Sequence, residues 1–221
     1  MLTPAQCGVI FDLDGVIVDT KEAHHASFSQ LGAEVGYSIS AAQFQHIFGM
    51  HNNSIFPYLY GCQLQTAEIE MLAERKEALF RAVIHGKITA LPGVAELLPA
   101  LVAAGFQLAI GTSTPLANVD LILGELNFAQ YFTAISSAED VTIGKPNPQV
   151  FLIAAQRLGI APARCVVVED AIAGVDAALA GGMVPLAVTT NHPRPALQHA
   201  ARVVDSLAKV GPEEMLALLQ G

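Results

Sequence analysis

Charge is scarce in this chain. Only 14% of its 221 residues are Asp, Glu, Lys or Arg, against about 25% in an ordinary soluble domain. That scarcity excludes disorder, because chains that stay unfolded are polar and charged. It does not by itself exclude a membrane protein. Hydrophobic residues make up 52%, mean hydropathy is +0.46, and no acid or base occurs between Glu96 and Asp120. That stretch exceeds the roughly 20 residues that cross a bilayer. It also contains Pro99, Gly105, Gln107, Gly111, Thr112, Ser113, Thr114 and Pro115, which break a continuous apolar helix. Helix, turn, buried strand and hydroxyl-rich loop are expected there instead. Bases are scarcer still: 11 Lys and Arg against 20 Asp and Glu give a net charge of −9. A nucleic-acid partner is excluded on that ground, since it needs clustered Lys and Arg. An anionic small substrate is not, because a metal or one placed lysine supplies local positive charge. The three cysteines, Cys7, Cys62 and Cys165, are too few and too scattered for a disulfide framework or a zinc knuckle. Reduced thiols in a cytoplasmic protein are expected. Asp12 arrives before a signal-type apolar core can form, and there is neither low complexity nor an obvious repeat.

What remains is strongly patterned. Residues 8–12 (GVIFD) form an apolar, β-branched run ending in an acid, the pattern of a fully buried strand. Residues 21–35 look helical, and 40–90 hold further helical patterns. The longest runs from Thr66, a candidate cap, to about Ile84, with Glu77 four residues before Arg81. From Leu91-Pro92-Gly93 the style changes. Helices are expected at 94–104, 115–126, 147–158, 172–180 and 212–220, and strands at 106–110, 134–136, 165–168, 184–188 and 202–204. Strands and helices alternating at short spacing predict a parallel sheet covered on both faces. The expected fold class is therefore α/β: a Rossmann-like parallel sheet core (1–20 and 89–221) interrupted after its first strand by an inserted helical cap (21–88).

Ligands of such folds bind outside the carboxyl ends of the strands, so the residues following each strand carry most of the functional information. The first strand ends in Asp12-Leu13-Asp14-Gly15. Residues two apart in extended chain point to one side, which makes this either a solvated turn or a carboxylate pair suited to Mg²⁺. The second ends in Gly111-Thr112-Ser113-Thr114 before a helix, either a plain cap or an anion cradle. Lys145, in GKPNP, is the only base between Lys87 and Arg157, either a solubilising lysine or an anion ligand. Another strand ends in Glu169-Asp170, a capped helix start or a second acidic pair. Taken together, two acidic pairs, a hydroxyl cluster and one lysine, each at a strand end, point to a metal site beside a phosphate site.

These residues resemble a known family. Asp12-Leu13-Asp14-Gly15-Val16, Thr112, Lys145 in GKPNP, and Glu169-Asp170 followed by Ala-Ile-Ala-Gly-Val are similar to the four motifs of the haloacid dehalogenase-like hydrolases, in particular the subgroup of β-phosphoglucomutase and the sugar-phosphate phosphatases. The resemblance covers nearly the whole chain. It implies that Asp12 is a nucleophile forming an aspartyl phosphate, and that Asp14 is the general acid and then the base. It implies Mg²⁺ as cofactor, held by Asp12, the Asp14 carbonyl and Asp170 with support from Glu169. Thr112, Ser113 and Lys145 are expected to bind the transferring phosphoryl group. An acid at position 14 argues against dehalogenation.

In the cap, the mutase-like subgroup places an arginine in a G-x-x-R loop. This chain has Gly49-Met50-His51-Asn52, with Asn52 in the arginine's place. A mutase holds two phosphates in turn, so the substitution favours a phosphatase acting on a small phosphorylated metabolite, such as a sugar phosphate. A phosphomutase is the alternative, and a non-catalytic binding homologue a third reading. His24, His51, Asn52 and Lys76 are candidate substrate residues of the cap. His24 and Lys76 read equally as surface residues, while Phe48, Met50 and Phe56 read as cap core or pocket wall. No membrane partner is expected, and the chain is expected to be a monomer.

Overall fold

The computed structural model describes residues 2–60 and 64–220. Cys62 lies outside them; Cys7 and Cys165 are buried free thiols. The chain forms two compact units, Met1–Asp19 with Thr89–Gly221, and Thr20–Ile88.

The first unit is an α/β sandwich around a six-stranded sheet of β1 (Gly8–Phe11), β2 (Gln107–Gly111), β3 (Ala134–Ser136), β4 (Cys165–Glu169), β5 (Val184–Val188) and β6 (Arg202–Val204). The spatial order is β3-β2-β1-β4-β5-β6 and every neighbouring pair is parallel. Burial on both faces explains the apolar runs: all four residues of β1 and all five of β4 are buried. The chain builds outward from β1 to β3, then crosses back to lay β4 on the other side of β1. Strand direction of build reverses there, which opens a crevice at the carboxyl ends of β1 and β4. Its helices are α5 (Val94–Ala104), α6 (Leu116–Leu126), α7 (Gln149–Leu158), α8 (Ile172–Ala180) and α9 (Pro212–Gln220). Phe151 and Ala154 of α7 and Ala177 and Ala178 of α8 pack with Ile10, Ala109 and Val167 of the sheet.

The uncharged stretch between Glu96 and Asp120 becomes most of α5, β2, a loop and the start of α6. Among the described residues no helix is long and apolar enough to cross a membrane.

The second unit holds α1 (Lys21–Val35), α2 (Ala41–Ile47), α3 (Asn52–Tyr60) and α4 (Thr66–Ile84). Its core is aromatic and aliphatic: Phe28, Leu31, Phe44, Ile47, Ile55, Phe56 and Leu59, with Phe48 and Met50 packed against it. The expected cap of α4 moves by one residue. Thr66 is already helical and Gln65 is the N-cap, because the Gln65 N–H donates to the Glu68 carboxylate (2.8 Å) and closes the first turn there.

Candidate active site

The site grows from the ends of β1, β2 and β4. Asp12 follows β1 directly, and its backbone N–H donates to the Val168 carbonyl of β4 (3.0 Å). This extra rung holds the Asp12 side chain beside the end of β4. There Glu169 and Asp170 follow in sequence, so three buried carboxylates converge. One oxygen from each of Asp12, Glu169 and Asp170 lies within 4.8 Å of the others.

Lys145 reaches this cluster from the loop before α7. Its ammonium donates to Asp12 Oδ1 (2.9 Å) and Glu169 Oε1 (2.6 Å) and lies 4.8 Å from the centre of the Phe151 ring. Its side chain is only 6% exposed, which excludes the solubilising-lysine reading. Glu169 is anchored on its other oxygen too, since Oε2 accepts from the Asp170 and Ala171 N–H groups (both 2.7 Å). Gly174, in the first turn of α8, makes room for it: a Cβ there would stand 1.8 Å from Glu169 Oε1.

The electrostatics are those of a cluster short of positive charge. Burial pushes the Asp12 carboxyl up to about 7 against the pull of Lys145, with Glu169 and Asp14 adding to the rise. Burial and the neighbouring Glu169 and Asp12 push Asp170 well above the usual range, while Asn191 and Lys145 pull it down. Burial alone would lower Lys145, but Asp12 and Glu169 outweigh it and hold the ammonium well above an ordinary lysine. Three carboxyl groups share one ammonium in a buried place, and the rise of Asp12 and Asp170 reflects that burial and that shortage of positive charge. Hard oxygen donors with excess negative charge fit a hard divalent cation such as Mg²⁺.

Asp14 is positioned from the β2 end. The turn after β1 closes through Ile17 N–H to Leu13 O (2.9 Å) and Gly15 N–H to Val18 O (2.8 Å). Asp14 Oδ2 accepts from the Thr114 hydroxyl, and the Thr114 N–H donates to Thr112 Oγ1 (3.2 Å). Thr112 is buried and Ser113 half-buried. The hydroxyl loop and the second aspartate are thus tied to each other.

In the helical unit, His24 and Lys76 are buried rather than surface residues. Lys76 Nζ lies 2.8 Å from His24 Nδ1 and 2.9 Å from Glu77 Oε1, and Asn52 Nδ2 donates to the same Glu77 oxygen (3.0 Å). The His24 ring stacks on Phe80 at 4.1 Å. His51 precedes α3, its carbonyl accepting from the Ser54 and Ile55 N–H groups (2.9 and 3.3 Å).

Three participants escape a sequence reading. Thr114 stands inside the hydroxyl cluster, but nothing in sequence marks it as the partner of Asp14. Glu77 looks like an ordinary helix glutamate. Asn191 donates to Asp170 Oδ2 (2.6 Å) from the loop after β5, and applying the strand-end rule to that strand as well finds it.

Known proteins resemble this chain over most of its length. The family model described as haloacid dehalogenase-like hydrolase matches residues 9–188. Hexitol phosphatase A of Escherichia coli is 35% identical over 207 residues, 92% of each chain. The phosphorylated carbohydrates phosphatase of Thermotoga maritima is 29% identical over 214 residues, 96% of this chain and 97% of its own. The crystal structure of β-phosphoglucomutase from Clostridium difficile superposes with a TM-score of 0.86 at 26% identity, covering 99% of this chain and 98% of that one. The chain belongs to the haloacid dehalogenase-like hydrolases, in the subgroup of β-phosphoglucomutase and the sugar-phosphate phosphatases.

Proposed function

We propose that this hydrolase is a Mg²⁺-dependent phosphatase of a small phosphorylated carbohydrate, working through an aspartyl phosphate. The observation that carries the reading is the convergence of Asp12, Lys145, Glu169 and Asp170 at the ends of β1 and β4. Asp12 is the nucleophile. One of its carboxylate oxygens attacks phosphorus and forms the covalent phosphoryl–Asp12 bond as the ester bond breaks, while Lys145 bonds Oδ1. Asp14 gives its proton to the departing oxygen. It then takes a proton from the water that cleaves the aspartyl phosphate. Lys145, Thr112 and Ser113 hold the phosphoryl oxygens, and Glu169 keeps Lys145 aimed at them. Asp12, the Asp14 main-chain carbonyl and Asp170 would hold Mg²⁺, with Glu169 in support; bound there, the ion offsets the negative charge that develops as phosphate meets carboxylate.

In the helical unit, His24, His51, Asn52 and Lys76 are the proposed substrate-selecting residues. Their chemistry favours hydrolysis over mutase action. Position 52 carries a neutral amide, and Lys76 is already neutralised by Glu77, so a second phosphate finds little positive charge among these groups. The phosphomutase reading draws on the structural likeness to β-phosphoglucomutase.

The test is a panel of phosphorylated carbohydrates assayed with Mg²⁺ and with chelator, following both phosphate release and isomerised product. Metal-dependent phosphate release is expected. Asp12→Asn should abolish it, and Asp14→Asn should lower kcat by about 10²–10⁴. Isomerisation without phosphate release would establish the mutase reading instead. Turnover that survives Asp12→Asn would overturn the nucleophile assignment.

A further inference from the structure

Three buried carboxylates meet at the metal cluster, but they are not held alike. Asp12 and Glu169 share Lys145, a cation. Asp170 is bonded instead by Asn191, whose Nδ2 donates to Oδ2 at 2.6 Å. Asn191 sits three residues beyond the end of β5, the strand paired with β4, so the carboxyl end of one strand restrains the side chain that follows its neighbour.

The packing around this bond leaves no slack. Gly15 lies against it with φ +78°. A Cβ on Gly15 would fall 2.2 Å from Asp170 Oδ2 and 2.6 Å from Asn191 Nδ2. Asp170 is buried at 3% exposure. With one oxygen tied to the amide and the Gly15 backbone pressed against it, the carboxylate has little freedom to turn.

The chemical type of the donor matters as much as its place. An ammonium at this position would neutralise Asp170 and compete with a metal for it. A primary amide donates a hydrogen bond yet carries no net charge, so it orients the carboxylate and leaves its full charge available. Groups that orient a metal-binding carboxylate in this way typically change metal affinity 10–100-fold when removed.

The geometry points to Asn191 as a positioning residue of the divalent-metal site, fixing Asp170 through Oδ2 in the space that Gly15 leaves open. This rests on the reading of the acidic cluster as a Mg²⁺ site.

The experiment is titration of the metal-free protein with Mg²⁺ alone, followed by calorimetry, for the unchanged chain, Asn191→Leu and Asn191→Ala. Leu keeps the shape without the donor; Ala tests the same loss should the larger side chain fail to fit. The melting temperature of each metal-free protein is measured alongside. The expected result is a dissociation constant for Mg²⁺ at least about 10-fold higher in both variants. Variants that bind Mg²⁺ as tightly as the unchanged chain would overturn the role of Asn191 and leave the metal reading intact, whether or not they melt earlier. An unchanged chain that binds no Mg²⁺ would overturn the metal reading itself, and the role of Asn191 with it.

Discussion

Glu77 and Lys76 are neighbours on α4, and both are turned inward, at 5% and 3% exposure. A buried charge is tolerated only when paired and hydrogen-bonded, and both conditions are met here. Burial pushes the Glu77 carboxyl up, but Lys76, His24 and the hydrogen bonds from Asn52 and Lys76 outweigh that push and leave it below the usual glutamate range. Glu77 is therefore ionised in the folded protein at any pH where an unfolded glutamate is. A depressed carboxylate means the unfolded chain binds more protons near the ordinary value of about 4.3, so this stabilisation is complete above that value and is lost as pH falls through the lower folded value. Glu77→Gln strands a buried ammonium, and removing one partner of such a pair costs about 3–5 kcal/mol. The expected outcome is a clearly lower melting temperature for the variant at pH 7, with the gap to the unchanged chain closing only below about pH 4.3. A gap that stays constant down to pH 3 would show that the ion pair is not its source. Residues of this kind also mark the limit of what sequence tells. Asp12 and Asp170 stand out because charge is rare in the α/β unit and each falls at a strand end, and Lys145 because it is the only base between Lys87 and Arg157. Glu77 sits among the other charges of a long helix, and Asn191 is a neutral amide in a polar loop. Glu77 is held in part by Asn52, 25 residues away in the chain, and no local pattern records that; Asn191 is found only by its place after a strand, not by its residue type.

The sheet ends in two open edges, β3 and β6, and each is closed by the same device. The Thr112 N–H donates to the Ser136 carbonyl and the Thr189 N–H to the Val204 carbonyl (both 3.0 Å). Because backbone groups alternate along a strand, Ile135 and Val203 point their carbonyls away from the sheet. Arg157 of α7 donates to the Ile135 carbonyl and pairs with Asp140. Arg194 donates to the Val203 carbonyl and pairs with Asp205 (both 2.8 Å). An unblocked edge is a template for another strand, and a guanidinium on its outward carbonyl removes an acceptor and adds charge. Replacing both arginines with Ala should therefore increase self-association with protein concentration, read by size-exclusion chromatography with light scattering. Thermal stability should change little, because exposed ion pairs contribute little. An unchanged size distribution up to high concentration would refute the blocking role. The elements of the α/β unit are legible in sequence to within a residue or two, and the displacements have local causes. The strand expected from Phe106 starts at Gln107 because the Phe106 N–H still closes α5 on Leu101 O (3.0 Å). The helix expected from Asn147 starts at Gln149, whose N–H is taken by the Asn147 side chain (3.0 Å). The edge clamps are not legible, since an Arg at 157 and a carbonyl at 135 become neighbours only once the sheet exists.

At the scale of the whole molecule, the scarcity of charge has one cause and one consequence. A parallel sheet covered on both faces needs long apolar strands, so charge in that unit is left mainly at helix surfaces and strand ends. The strand-end charges then cluster, because strand order brings β1 and β4 side by side. That is why the acidic cluster and its lysine could be read from sequence as a set, whereas the packing that tunes them could not. All the proposed metal ligands belong to Met1–Asp19 with Thr89–Gly221, while the buried Lys76–Glu77 pair belongs to Thr20–Ile88. A ligand that binds only the folded form stabilises whatever must be folded to bind it, by about 2.7 kcal/mol at 100 times its dissociation constant. Mg²⁺ should accordingly slow amide hydrogen exchange in β1, β4 and the segments around them. Glu77→Gln should speed exchange in α1 and α4, which carry His24, Lys76 and Glu77. If the units open independently, saturating Mg²⁺ leaves exchange in α1–α4 unaltered, and Glu77→Gln leaves β1 and β4 unaltered. Mass spectrometry of exchanged peptides from the metal-free, Mg²⁺-loaded and Glu77→Gln proteins reads each unit separately. Equal protection of both units by Mg²⁺ would refute independent opening and show that the whole chain unfolds as one block.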